Sequence, residues 1–198
     1  MNEELDSGLV KSFPKLFRNR YAPMNETCMC WGFAHGDGWY HIIRNTCSLI
    51  QSHIDWTREN RARALRFNRA LRRAIAGNRA DLIHFYTRGG RPMSQWCLEQ
   101  MEEEIAKQKF RPVKPACPQV VVDQVKEKFG TLRFYYHGGD DFVDGVVRMA
   151  EAMTAVTCET CGDVGKCRSG GWIRTLCDKH EKEYQERNGV VGDEDNLL

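Results

Sequence analysis

The chain has 198 residues, 41% hydrophobic and 28% charged, a composition that suits a soluble protein of one domain, or one domain with a small appendage. A formal net charge of +2 means that overall electrostatics prescribe no nucleic-acid partner. No stretch of about 18 apolar residues occurs, which excludes a transmembrane helix and a membrane partner of that kind.

Residues 1–25 read as an irregular lead-in anchored by Phe13-Pro14-Lys15-Leu16-Phe17. The start, MNEELDSGLVKSFPKLF, is acidic and polar and has no apolar signal segment, so the expected location is the cytoplasm. There the nine cysteines stay reduced, which favours metal binding over disulfides. In CMCWGFAHGDGWY, from Cys28 to Tyr40, Gly36-Asp37-Gly38 reads as a turn. A helix follows with Trp39, Ile42, Ile43, Cys47, Leu49 and Ile50 as its apolar stripe. Cys28, Cys30, His35 and His41 are candidates for a second metal site. The competing reading is a loop of buried thiols beneath aromatic side chains, because no second Cys-x2-Cys pair answers them. Cys30 as a nucleophile with His35 or His41 as its base needs a spatial adjacency that spacing does not supply.

Residues 51–77 form the clearest helix, with Ala64, Phe67, Leu71, Ala74 and Ile75 on one face and Gly77-Asn78 as its stop. Arg58, Arg66, Arg69 and Arg73 point away from that face, with Arg61 and Arg72 alongside. Between Thr57 and Arg79 there are eight arginines, no lysine and one acid, Glu59, a local charge of +7. Guanidinium groups suit planar, bidentate contacts to phosphate or carboxylate, and the competing reading is a solvated helix face. A second helical stretch, Asp81 to Thr87, closes at Gly89-Gly90. Ser94 then caps a helix to about Gln108 with Leu98, Met101 and Ile105 inward and Glu99, Glu102, Glu103 and Glu104 outward. The arginine and glutamate helices are candidates to pair as an αα-hairpin, which would answer much of the basic stripe internally.

A linker with Pro112, Pro115 and Pro118 leads to the best hairpin, Val120 to Tyr136, with Gly130 at its turn and Leu132, Phe134 and Tyr136 sharing a face. Lys126, Lys128 and Arg133 make a small basic cluster alternating with Phe134 and Tyr135. That pattern suits either single-strand stacking or packing against a helix. Asp140 or Asp141 caps a helix to about Thr157, with Phe142, Val143, Val146, Val147, Ala150 and Met153 on its apolar side. The tail from Asn188 to Leu198 is acidic and reads as disordered.

From Cys158 to His180, CETCGDVGKCRSGGWIRTLCDKH spells Cys-x2-Cys, fifteen residues, then Cys-x2-His. That is the spacing of a closed, tetrahedral, structural Zn2+ site made by Cys158, Cys161, Cys177 and His180. Gly162 suits the positive φ that such a knuckle often needs. Gly165, Gly170 and Gly171 allow a turn, and Trp172 to Leu176 reads as a strand. A helix through Lys182 and Tyr184 carries the second pair on one face. Knuckle, hairpin and helix resemble the treble-clef and ribbon class of zinc fingers. Cys167 is a fifth candidate ligand. The expected fold is α+β: a small β-hairpin or sheet packed by amphipathic helices, with a C-terminal zinc-finger module. By segment it divides into a helical region over 1–110, the hairpin and its covering helix over 111–157, the zinc module over 158–187 and a tail over 188–198.

At CMCWGFAHGDGWY, VKEKFGTLRFYYHGGD and CETCGDVGKCRSGGWIRTLCDKH the chain resembles a widespread family of small uncharacterised proteins of tailed phages and prophages. The arginine helix and the segment to about Lys109 look like an insertion between the first two blocks. The resemblance implies an accessory protein expressed in the bacterial cytoplasm during infection, and it carries no catalytic residues. The leading expectation is a non-enzymatic protein that binds a host or antiviral-defence protein. The second is a nucleic-acid binder using Arg58, Arg61, Arg66, Arg69, Arg72, Arg73, Lys126, Lys128 and Arg133 on DNA or RNA. A third is capture of a nucleotide by arginines beside the aromatic block around Trp31 and Trp39. His35, Asp37, His137 and Asp140 are the only residues kept for a catalytic role.

Overall fold

The computed structural model describes residues 1–87, 90, 92–169 and 172–188. The expected acidic tail beyond Asn188 and the turn glycines Gly89, Gly170 and Gly171 lie outside them. The chain is α+β and divides into two compact units, Met1–His53 with Pro118–Leu198, and Ile54–Cys117.

The first unit begins with a helix where the sequence suggested irregular chain: α1, Glu3–Ser12. The Asn2 side chain accepts from the Leu5 N–H at 2.9 Å, and Glu3, Glu4 and Asp6 lie in the first turn, where carboxylates complement the helix dipole. Only Leu9 and Val10 of this helix are buried, too few to print a helical period on the sequence. A 3-10 turn, Cys28–Trp31, precedes the two-residue strand β1, Phe33–Ala34. A second 3-10 turn, Asp37–Trp39, opens α2, Tyr40–Ile75. Residues 39–50 and 51–77, which read as successive helical stretches, thus join in one helix of 36 residues, about 54 Å long at 1.5 Å per residue. No glycine or proline falls between Tyr40 and Ile75 to interrupt it.

Strands β2, Val121–Lys128, and β3, Thr131–His137, pair as the expected hairpin. Its two-residue turn, Phe129–Gly130, has φ of 54° and 76°, the positive pair that matches strand twist. β1 adds in parallel to β2, with Phe33 opposite Val125. Helix α5, Asp141–Thr154, is capped by Asp140, one of the two aspartates the sequence offered, and buries Val143, Val147, Ala150 and Thr154. Phe142 and Met153, expected on that stripe, are 46% and 45% exposed. Phe142 instead stacks on the His53 ring, centroids 4.2 Å apart. α5 also closes the free edge of β3. The Leu132 N–H donates to Thr154 Oγ1 at 2.9 Å, and the Phe134 N–H donates to Glu151 Oε1 at 3.0 Å. The chain ends in the antiparallel strands β4, Lys166–Arg168, and β5, Arg174–Leu176, followed by α6, Asp178–Asn188.

The second unit is helical: the latter part of α2 with α3, Ala80–Thr87, and α4, Gln95–Ala106. Phe67, Ala70, Leu71, Ala74, Leu82 and Met101 form its core. Ile75 and Leu98, expected inward, are each 39% exposed. Ser94 caps α4 as anticipated, accepting from the Cys97 N–H. The buried Asn68 side chain exchanges two 2.8 Å hydrogen bonds with the backbone of Arg111, which holds the proline-bearing segment along α2.

Candidate metal centre and arginine face

Four side chains from the end of the chain converge. One ligating atom each from Cys158, Cys161, Cys177 and His180 lies within 4.8 Å of all the others. With metal–sulfur bonds of about 2.3 Å and metal–nitrogen bonds of about 2.0 Å, a tetrahedral centre requires sulfur–sulfur edges of about 3.8 Å and sulfur–nitrogen edges of about 3.5 Å. The observed separations are 3.9 Å for Cys161 Sγ to Cys177 Sγ, 3.5 Å for Cys158 Sγ to His180 Nδ1, and 3.2 Å for Cys177 Sγ to His180 Nδ1. The donor set therefore fits a tetrahedral metal ion.

Local chain chemistry builds that set. The Gly162 N–H donates to the Cys158 carbonyl at 2.9 Å, closing the knuckle, and Gly162 has the expected positive φ of 85°. Cys177 sits just before α6 and His180 on its first turn, where helix N–H groups favour negative sulfur. His180 turns Nδ1 to the sulfurs and holds Nε2 3.8 Å from Glu183. Burial pushes the Cys158 thiol up, but N–H groups of Cys177, Cys161 and Thr160 outweigh it and hold its pKa at about 6. The Cys161 thiol is pushed up to about 12, by desolvation and then by its neighbours Asp163, Cys158 and Cys177. The Cys161 thiol thus resists ionising beside its neighbours until a cation joins them.

A second sequence block is seated on this knuckle. The Gly38 N–H donates to the Glu159 carbonyl at 2.8 Å, the Gly36 N–H to Glu159 Oε1 at 2.9 Å, and Trp39 Nε1 to the Thr157 carbonyl at 2.8 Å. A Cβ on Gly38 would lie 2.2 Å from the Cys158 oxygen, so only glycine allows this approach. The role of GDGW as the knuckle's seat was missed at sequence level. Its signal is present: two glycines and a tryptophan whose indole needs an acceptor.

The remaining candidates lie outside this four-residue group. Cys167 is exposed on β4 opposite Thr175, outside the four-residue group. Among the described residues no three of Cys28, Cys30, His35 and His41 come together as ligands. His35 is buried, donating from Nδ1 to the Gly36 carbonyl at 2.7 Å. Asp37 accepts from the Asn2 backbone and side chain, Asp123 pairs with His137, and Asp140 pairs with His53 at 2.8 Å while capping α5. His35, Asp37 and His137 therefore serve separate local contacts.

The arginines divide by partner. Arg61 donates to the Lys114 carbonyl, Arg63 pairs with Glu59, Arg73 with Asp81, and Arg79 with Glu102. Arg72 lies over the Phe110 ring, and Arg58 is exposed. The α4 carboxylates mostly turn elsewhere: Glu103 to Lys107, Glu104 to the Tyr86 hydroxyl, and Glu99 to Gln95. Arg66 and Arg69 have no ion-pair partner among the described residues. They border a hollow of about 340 Å³ with Arg73 and His84. On the hairpin, Lys126 lies over Tyr135 and Lys128 over Phe129, while Arg133 donates to Thr131 and the Leu132 carbonyl. No protein-family model matches the chain, nor does any curated protein or solved structure.

Proposed function

We propose that this chain is a non-enzymatic, zinc-stapled binding protein whose arginine-rich helical unit takes hold of nucleic acid by its phosphates. Zinc suits a tetrahedral set of three thiolates and one imidazole. Four protein donors complete its preferred shell and leave no position for a reacting water, the arrangement of a structural rather than a catalytic ion. Its role here is to fasten the knuckle, β5 and α6 to the seat formed by Gly36–Trp39.

Charge carries the nucleic-acid reading. Residues 54–117 hold fourteen Lys and Arg against seven Asp and Glu, a net of +7, whereas the rest of the chain holds fifteen against twenty, a net of −5. The near-neutral total hides that division. Within the basic unit, the glutamate helix answers Arg79 and leaves Arg66 and Arg69 open to an outside anion. Phage accessory context in a bacterial cytoplasm is proposed with it, on the resemblance of the three sequence blocks.

The test is an affinity capture of the tagged protein from bacterial lysate, with and without nuclease, followed by salt titration of nucleic-acid affinity. Arg66→Gln with Arg69→Gln should flatten the log–log salt slope by about 0.7–0.9 per lost phosphate contact. An unaltered slope removes this face from binding. A stoichiometric protein that survives nuclease would instead favour the host or defence partner. The natural place for it is the hollow of about 410 Å³ lined by Phe129, Trp172 and Ile173 together with Lys126, Glu127 and Lys128.

A further inference from the structure

A hollow of the helical unit, about 840 Å³, is lined by Arg63, Arg66, His84, Trp96 and Arg111 together with Phe85 and others, and no carboxylate is among its described lining residues. Its size falls within the range of small-molecule sites. Arg111 is its organising cation. Its guanidinium lies 3.7 Å over the Phe67 ring and 4.9 Å from the Phe85 centroid, while its backbone is clamped by buried Asn68. No ion pair neutralises it among the described residues. A guanidinium stacked and fixed in this way loses little entropy when it meets an anion, so its donors are organised before the ligand arrives. Arg66 adds a second unpaired cation, and Arg63, shared with Glu59, a third. Trp96, 65% exposed, brings its indole to the same hollow.

We infer that this hollow is a nucleoside-phosphate pocket, in which Arg66 and Arg111, with Arg63, hold the phosphate and Trp96 stacks on the base. The inference rests on the anion-binding reading of the same unit and sharpens it. An aromatic platform distinguishes the ligand from inorganic phosphate or an acidic peptide, because base stacking rewards a planar ring and charge alone does not. The nucleoside phosphate could be free or the phosphorylated end of a single strand. The aromatic groups of this pocket come from α3 and α4 rather than from the block around Trp31 and Trp39.

Calorimetry on the full-length, metal-loaded protein tests it with four probes: ADP, inorganic phosphate, and a short oligothymidylate with or without a 5′-phosphate. ADP binding points to a free nucleotide, and preference for the 5′-phosphorylated strand points to a strand end. Trp96→Ala should weaken either by about 5- to 100-fold, the range for one lost base stack, and leave inorganic phosphate unaffected. Arg66→Gln should weaken every phosphate-bearing probe by about tenfold or more. Both side chains are exposed, so neither variant threatens the core, whereas Arg111 is spared because it covers Phe67. Binding that ignores Trp96→Ala, or no binding of ADP or either oligonucleotide, overturns the pocket. If longer nucleic acid still binds and its salt slope falls on replacing Arg69 and Arg73, the broader reading survives that loss. If no nucleic acid binds either, both fall.

Discussion

His35 is 7% exposed, with one ring nitrogen occupied and the other, Nε2, without a hydrogen-bond partner among the described residues. Desolvation lowers its pKa from 6.5 to about 4, against the Gly36 hydrogen bond and the charges of Asp37 and Asp6, and with the help of the N-terminal ammonium. The folded state thus prefers neutral imidazole. Its contribution is complete above pH 6.5 and is lost as pH falls towards 4, amounting to about 3 kcal/mol at about 1.4 kcal/mol per unit. Denaturant unfolding between pH 7 and 4 should show a shallower acid loss in His35→Gln, whose amide keeps a donor for Gly36. Equal slopes would show that His35 does not set this dependence. Nothing in the sequence marked His35 as a neutral, dry residue rather than a ligand, because its neighbours arrive from Met1 and Gly36–Trp39 in a fold that spacing does not describe.

At the scale of elements, what the sequence revealed depended on distance along the chain. The four metal-capable side chains lie between Cys158 and His180, so their spacing alone places them on a knuckle and a helix start. The hairpin and the caps at Ser94 and Asp140 were readable for the same reason: each is a local pattern. β1 was not, since two residues carry no period, and neither was the docking of Gly38 on Cys158, which joins segments about 120 residues apart. That docking makes a sharp prediction. Gly38→Ala forces a Cβ to within 2.2 Å of a backbone oxygen that cannot swing aside. It should cost more than about 2 kcal/mol and weaken metal retention against a chromophoric chelator. Gly8→Ala in α1, where nothing lies within 4 Å of the new Cβ, should be neutral or stabilising by up to about 1 kcal/mol. Equal behaviour of the two variants would refute the seating of the turn on the knuckle.

At the scale of the molecule, the proposed zinc ion and the arginine face belong to different compact units, and the two should respond differently to metal loss. In the unit containing Cys158 the segment from β4 to α6 is held lightly apart from Thr175 and Leu176, which are buried: α6 buries no residue, and β4 and β5 are three residues each. Metal binding contributes roughly 10–16 kcal/mol to folding in isolated zinc fingers, far more than such short elements supply. The unit Ile54–Cys117 has its own core of Phe67, Leu71, Leu82 and Met101 and includes none of the four donors. Chelation, or Cys158→Ser, should therefore speed amide exchange across 158–188 and across Gly36–Trp39, which rests on the knuckle. Amides of α2 from Ala64 to Ala74 should keep their protection. Nucleic-acid affinity should then fall little, since Arg66 and Arg69 remain on an intact helix. Uniform loss of protection in both units would show that the ion stabilises the whole chain, and unchanged exchange at 158–188 would refute a structural ion at those four residues.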